Sequence, residues 1–359
     1  GHYLEQILGN NTIFIGTNTE NLFSDITKEK HLTSPKLFNI LKFLSKPKNK
    51  TYENIILEAS SHALDQERFK GIKFNTSGFT NLSRDHFDYH KNINNYFEAK
   101  LKLFSKNLSD KFVYFDSEWG NKIEEKSVIP SFKIGNNNDS NLRILGEKLF
   151  PNINLKIQIN EVIHDINLNV TGPKFNLNFL LALSMAHFSE KLNIQNYEEN
   201  FQNIQNPKGR FEMINYKSNK IVVDYAHTPD AIKTTVDFVT QYFSNVIVIF
   251  GAGGDRDTEK RLLMGNATKN ADKIIITNDN PRHEDPEKIA NDILGGCDKE
   301  KTVVMLDRKE AISYGINQLK DNSVLLVLGK GHEMHQEINN KKINFNDFDY
   351  ISDLLGGIS

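Results

Sequence analysis

Apolar residues along this chain fall into short clusters, and their spacing predicts alternating strands and helices. HYLEQIL opens with helical spacing, NTIFIGT reads as a strand, and LTSPKLFNILKFLSK reads as a loop feeding an amphipathic helix. The run IIL before Glu58 predicts a buried parallel strand, and SSHALDQERF continues as a loop leading into a helix. A second strand-like run, NTSGFTNL, ends at Ser83, which places Arg84, Asp85 and His86 at a strand's carboxyl end. NNYFEAKLKLF again has helical spacing, with Tyr96, Phe97, Leu101 and Phe104 apolar and Lys100 among them. FVYFDSE adds a strand, and this alternation is the pattern of a parallel sheet with crossover helices. From Asn121 to Arg143 the composition turns polar and Asn-rich, which predicts a loop or a meandering edge. INLKIQINEVIHDINLNV alternates at period two and predicts a small antiparallel ribbon, and TGPKFNLNFLLALSMAHFSEKL predicts a turn and then a buried helix.

Beyond NIQNPKGRFEMI the alternation resumes. KIVVDYAHTPD, NVIVIFGAGGDRD, KIIITNDNPR, TVVMLD and VLLVLGKGHE are five apolar strands, each followed by a polar or glycine-bearing loop. The fold class is therefore α/β, with a boundary near Pro207 and domains at 1–207 and 208–359; the loops of the second sheet should share one edge. A length of 359 residues suits two cores better than one.

The net charge of -2 gives no electrostatic reason to expect nucleic acid as a partner. A single cysteine, Cys297, forbids an internal disulfide and fits a reducing compartment; a cytoplasmic location is expected. No apolar run approaches the roughly 20 residues that span a bilayer, so no membrane partner is expected. The opening GHYLEQILGNN lacks the cationic lead and apolar core of a signal peptide and reads as the remainder of a helix, which suggests a cut N-terminus.

The candidate chemistry starts with Glu58, His62, His86, His90 and Lys100. A lysine in an apolar stripe usually snorkels to the surface, but these neighbours favour chemistry. Magnesium prefers oxygen ligands, which suits Glu58 better than an imidazole. A neutral lysine that captures carbon dioxide as a carbamate turns a cation into an oxygen donor. In DYAHTPD, Thr228-Pro229-Asp230 is a helix start, with Asp224 and His227 at the ligand-bearing edge. GAGGDRD has glycines that let a ligand approach the backbone; Arg256 stands where a dinucleotide fingerprint needs its last glycine, so an anionic ligand fits better. DNPR (Asp279, Asn280, Pro281, Arg282) is a turn by composition whose arginine is either solvated or paired with a substrate carboxylate. GKGHE, from Gly329 to Glu333, either cradles an anion or closes a loop, and Glu333 offers a charge for a ligand ammonium.

Taken in order, TSP, EASSHALDQER, TNLSRDHFDYH, YFEAKLKLF, GPKFNLN, KGRFE, VVDYAHTPDA, FGAGGDRD, DNPRHEDP and LGKGHE resemble the Mur ligase family over nearly the whole chain. The likeness is greatest to members that add the third residue of the peptidoglycan stem peptide. The resemblance implies a central ATPase-type domain, a C-terminal Rossmann-like domain and ATP-dependent amide ligation through an acyl phosphate. The expected cofactors are ATP and Mg2+, with Glu58, His86 and Lys100 as metal ligands, the last as its carbamate. Thr33, Ser34, Ser60, Gln66 and Arg68 match contacts to the UDP-linked muramoyl dipeptide. Arg210, Asp224, His227 and Asn178 match positions near ATP. Arg256, Asp279, Asn280, Pro281, Arg282, Gly329 and Glu333 match the pocket for the added amino acid. DNPR is like the signature of members that add meso-diaminopimelate, whose second carboxylate would take the fork of Arg282, a group that lysine would leave unpaired.

A monomer acting on small molecules is expected. The family's phosphate loop, G-x-x-x-x-G-K-[ST], and its N-terminal uridine-nucleotide domain are not in these residues, so the expectation is a fragment that does not turn over alone. Competing readings are the same ligation with L-lysine, folylpolyglutamate synthase, a nicotinamide-dependent dehydrogenase claiming GAGGDRD, and a binding-only relic.

Overall fold

The computed structural model describes residues 1–16, 32–46, 51–83, 86–194, 198–339 and 341–356. The chain divides into two compact units, Gly1–Gln205 and Asn206–Ser359.

The first unit runs α1 (His2–Leu8), β1 (Thr12–Ile15), α2 (Leu37–Ser45), β2 (Asn54–Leu57), α3 (Ser61–Asp65) and β3 (Phe74–Gly78). It continues with α4 (Phe87–His90), α5 (Ile93–Leu101), β4 (Ser109–Phe115), α6 (Glu118–Lys126) and β5 (Ser131–Gly135). It ends with β6 (Leu142–Lys148), β7 (Ile153–Ile159), β8 (Val162–Leu168) and α7 (Phe175–Phe188). β1 and β2 form a parallel pair, and β3 to β8 form a second sheet in sequence order. That sheet is parallel from β3 to β6 and antiparallel from β6 to β8. Alternation along β4 divides the core. Val113 joins Ile134, Ile157 and Leu183 beneath α1 and α7, while Phe112 and Tyr114 join Phe69, Phe97 and Ile123 on the other face. α7 is buried over most of its circumference and accordingly has no polar face along its middle turns.

Three expectations need correction here. The strand before Glu58 is parallel but not buried: β2 has one partner strand, and Ile55 is 42% exposed. The strand expected to reach Ser83 stops at Gly78, so His86 lies eight residues beyond it and instead begins α4 in a left-handed conformation, φ 56°. Arg84 and Asp85 lie outside the described residues. The stretch from Asn121 to Arg143 is not a loop, because it carries most of α6, all of β5 and the start of β6. α6 buries only Gly120 and Ile123 and β5 only Phe132 and Ile134, so the polar composition hid two regular elements. The antiparallel ribbon exists, but β6 joins it to the parallel sheet.

The second unit runs β9 (Glu212–Tyr216), β10 (Asn219–Asp224), α8 (Pro229–Val239), β11 (Asn245–Phe250), α9 (Glu259–Asn266), β12 (Lys273–Ile276) and α10 (Pro286–Leu294). Then come β13 (Thr302–Val304), α11 (Arg308–Asn317), β14 (Ser323–Leu328), β15 (His335–Ile338), β16 (Lys341–Asn344) and α12 (Asp347–Gly356). The main sheet has the order β13-β12-β11-β14-β10-β9, parallel except for the edge strand β9. All six residues of β14 are buried, as expected for a strand covered on both faces. Thr228, Asp285 and Asp307 cap α8, α10 and α11 with their side chains. The five parallel strands therefore deliver their following loops to one edge. β9 and the β15–β16 hairpin were not foreseen. No helix among the described residues is long and apolar enough to cross a membrane.

Candidate active site

In the first unit the sequence-predicted residues gather where β1, β2 and the loop before α2 end. Ser34 is buried, and its hydroxyl donates to the Glu58 carbonyl at 2.6 Å and accepts from the Ser60 amide at 2.9 Å. Ser60 caps α3 by accepting from the Ala63 amide at 3.3 Å. Arg68 donates from Nη1 to the Ser34 carbonyl at 2.9 Å, and from Nε and Nη2 to Gln66 Oε1 at 3.0 and 2.6 Å. Thr33 is half-buried beside Ser34. Thr33, Ser34, Ser60, Gln66 and Arg68 thus form one polar cluster.

Gln66 Nε2 donates to the Tyr89 hydroxyl at 3.4 Å, and the Tyr89 ring leads on to a group of histidines. The His62 ring lies 4.2 Å from that of Tyr89, 5.0 Å from His86 and 5.5 Å from His90. His90 is buried, lies 2.9 Å through Nε2 from Ser61 Oγ, and stacks on Tyr96 with centroids 5.1 Å apart. Tyr96 also lies 5.9 Å from the His86 ring and carries Lys100 Nζ over its face at 5.2 Å, within cation–π range. Tyr96 therefore links His86 to Lys100, a role its place in an apolar stripe concealed.

Glu58 is exposed just past β2, and a Cβ at Gly16 would stand 2.6 Å from its Oε2, so the bare backbone at the end of β1 makes room for this carboxylate. Among the described residues no group of three or more His, Cys, Asp or Glu side chains is arranged to hold a metal. Magnesium does not require one, since it is bound through one or two carboxylates, its own waters and substrate phosphates. An exposed carboxylate at a strand-end edge fits that mode. Asn178 is exposed in the first turn of α7, away from any hydrogen bond with these residues.

In the second unit the loops after β10, β11, β12 and β14 meet. Asp224 is buried, and its two oxygens accept from the Phe211 and Ala226 amides at 2.7 and 2.8 Å. Burial raises its pKa above the ordinary carboxylate value, against the pull of those amides. The Asp224 carboxylate thereby ties the segment at Phe211 to the one at Ala226. The Arg210 guanidinium stacks on Tyr225 at 4.5 Å, and the exposed His227 lies 2.9 Å from the Tyr225 carbonyl through Nδ1.

Gly251 and Gly254 admit the chain's own backbone. A Cβ at either would lie 2.2 Å from the Thr277 carbonyl or 2.0 Å from that of Pro281, so close approach by the next loop, not by a ligand, explains both. Arg256 is exposed beyond them. Asp279, Asn280 and Pro281 are buried, and Asp279 Oδ2 is buried without a hydrogen-bond partner. Gly329, at φ 110°, faces that oxygen: a Cβ there would come within 2.6 Å of it.

Two of these charged groups have partners within the chain. Arg282 donates from Nε to Glu337 Oε2 at 3.2 Å and from Nη1 to the Gly254 carbonyl at 2.6 Å. Glu333 already has a cation, the fully buried Lys330, whose Nζ donates to Glu333 at 2.8 Å, to Asn280 Oδ1 at 3.2 Å and to the His335 carbonyl at 2.9 Å. Burial alone would raise the Glu333 pKa, but the Lys330 charge and the hydrogen bonds from Lys330 and Asn280 outweigh it and hold it low.

Two supports escaped the sequence reading. Arg308 and Asp347 form a buried bidentate pair at 2.7 and 2.8 Å, and Arg308 also donates to the Leu328 and Asn278 carbonyls at 3.0 and 3.3 Å. The available signal was a cation in the first turn of α11, where the helix dipole disfavours it. The other is Glu337, which sequence does not link to residue 282. A groove of about 390 Å³ opens at the amino ends of β11 to β13, lined by Asn245, Lys273 and Lys301 among others; it is at the opposite edge and plays no part in this cluster.

The family described as the Mur ligase middle domain matches residues 1–186, and that described as Mur ligase, glutamate ligase domain matches 209–331. The UDP-N-acetylmuramoyl-L-alanyl-D-glutamate–2,6-diaminopimelate ligase of Buchnera aphidicola is 36% identical over 375 residues, covering 98% of this chain and 73% of its own. The ligase of the same name from Aquifex aeolicus is 36% identical over 369 residues, covering 99% of this chain and 74% of its own. A solved structure of a ligase so named superposes with a TM-score of 0.63 at 28% identity, covering 91% of this chain and 69% of that one. Two α/β units with strand-end clusters of this composition, matched to ligases along almost their whole length, define an ATP-dependent enzyme that forms amide bonds. The chain belongs to the Mur ligase family, whose members use ATP and Mg2+.

Proposed function

We propose that this protein ligates meso-diaminopimelate to UDP-N-acetylmuramoyl-L-alanyl-D-glutamate at the expense of ATP. The γ-phosphoryl group passes to a substrate carboxylate, releasing ADP; the incoming amine then attacks the acyl carbon, and inorganic phosphate leaves from the tetrahedral adduct. Ser34, Ser60, Gln66 and Arg68 hold the acidic substrate, and Arg68 brings the positive charge such a ligand needs. Glu58 and His86 are the residues to hold Mg2+, with Lys100 as a carbamate adding oxygen donors from its place over Tyr96. The metal, when bound, supplies charge neutralisation for the phosphates. Arg210 and His227 serve the nucleotide, with Asn178 a weaker candidate because nothing in its surroundings supports it.

The observation that carries the choice of amino acid is the loop Asp279–Arg282. Its buried Asp279 oxygen without a partner suits a ligand ammonium, and Arg282 suits a distal carboxylate. Because Glu337 already engages Arg282, L-lysine stays as a second reading: an apo guanidinium left without a partner no longer counts against it. Phosphate release by the complete gene product decides between them. It should require the UDP-linked dipeptide and meso-diaminopimelate together, and release with L-lysine in its place would select the other reading.

A further inference from the structure

Arg282 is held from three directions. Its guanidinium donates to Glu337 and to the Gly254 carbonyl, its amide donates to the Glu337 carbonyl at 3.0 Å, and its own carbonyl accepts from the Asn339 amide at 2.7 Å. Its backbone sits at φ 53°, which a non-glycine residue adopts at a cost unless its surroundings impose it. β15 imposes it here, by pairing main chain with main chain beside the Arg282–Ile338 bridge. The same strand fixes the rest of the loop. Gln336 Nε2 donates to the Asp279 carbonyl at 3.0 Å, and the Glu337 amide donates to Asn280 Oδ1 at 2.9 Å. These residues lie past position 331, where the match to the glutamate ligase domain ends.

We propose that Glu337 is a positioning residue for amino-acid recognition, aiming the Arg282 guanidinium so that its outer edge meets the substrate's distal carboxylate. The inference rests on the reading that loop 279–282 receives the added amino acid. A guanidinium has five N–H donors in one plane. Glu337 takes Nε and Gly254 takes one hydrogen of Nη1, so three of the five donors, both of those on Nη2 among them, are left for a second carboxylate. A carboxylate competing for the substrate's place would bond to the Nη donors; Glu337 accepts its hydrogen bond from Nε, through one oxygen. Fixing the long arginine side chain before binding removes an entropy cost that the ligand would otherwise meet.

The test is initial-rate kinetics on the complete gene product, with meso-diaminopimelate varied at saturating ATP and dipeptide. Glu337→Ala should raise KM for diaminopimelate about tenfold, the scale of one charge-assisted hydrogen bond, and leave kcat within about twofold. KM for ATP should not move. Glu337→Gln, which keeps an oxygen for the Nε–H, should recover most of the loss; a variant that had lost the hairpin's fold would show no such rescue. A lower KM for diaminopimelate in Glu337→Ala would mean that Glu337 competes with the substrate, and the proposal would be wrong. So would a parallel rise in KM for ATP, which marks general support of the fold. If the wild type itself refuses diaminopimelate, the underlying reading fails and this inference with it, a result distinguishable from failure confined to the variants.

Discussion

Asp224 illustrates how one carboxylate can shape a site through the backbone. It offers two oxygens to two backbone amides from a buried position. Asparagine would fill the same volume but present one acceptor, leaving an amide buried without a partner, which costs about 1–3 kcal/mol. Asp224→Asn should therefore lower stability by about that amount in urea denaturation at neutral pH. The pH dependence has a definite sign. Because burial raises the folded-state pKa, the folded chain holds this proton more tightly than the unfolded one. The associated stabilisation is complete below the ordinary aspartate value near 3.9 and is lost as pH rises through the raised one. Across that acidic window the wild type should lose stability relative to Asp224→Asn, and a difference that stays flat or grows would contradict the assignment.

At the scale of elements, α11 and α12 are joined by Arg308 and Asp347, and the same guanidinium holds the carbonyls immediately before Asp279 and Gly329. Removing one partner leaves an unpaired charge in the interior, which costs about 3–5 kcal/mol. Asp347→Ala should lose that much in chemical denaturation, whereas an Arg308→Met, Asp347→Leu double variant should regain most of it. The double variant should nevertheless bind diaminopimelate more weakly, because two loop carbonyls lose their donor; unchanged binding would confine the pair to stability. Elements of this kind explain what sequence reading caught and missed. The five parallel strands of the second unit announce themselves because strands covered on both faces are continuously apolar, as β14 is. α6 and β5 bury two residues each and vanish into a polar stretch. β15, half-buried along its length, carries no periodic signal, so the strand that shapes the loop at Arg282 was invisible. Ser34, Ser60, Gln66 and Arg68 were legible through the order of their motifs, and their cluster is close-knit. The pairing of Arg282 with Glu337 spans 55 residues and rests on hairpin geometry that composition does not encode.

For the whole molecule, the candidate chemistry is sorted by unit. Glu58, His86, Lys100 and the cluster proposed to hold the acidic substrate belong to Gly1–Gln205, while Asp279, Asn280, Arg282, Gly329 and Glu333 belong to Asn206–Ser359. The second unit has its own core, with Ile221, Ile249, Ile275 and Val327 of the sheet packed against Ile312 and Ile316 of α11 and Ile351 of α12. A unit with a core of its own can fold alone. Residues 206–359 produced separately should therefore melt in one cooperative transition, followed by circular dichroism. Since the loops proposed to receive the amino acid are braced within this unit, by Lys330, Arg308 and Glu337, the fragment should also bind meso-diaminopimelate, detectable as saturable shifts in its NMR spectrum. It should release no phosphate from ATP, because the proposed metal and acidic-substrate residues are absent from it. A fragment that folds but shows no diaminopimelate-dependent shifts, at concentrations where Arg282→Ala and wild type would differ, would show that these loops do not suffice for recognition.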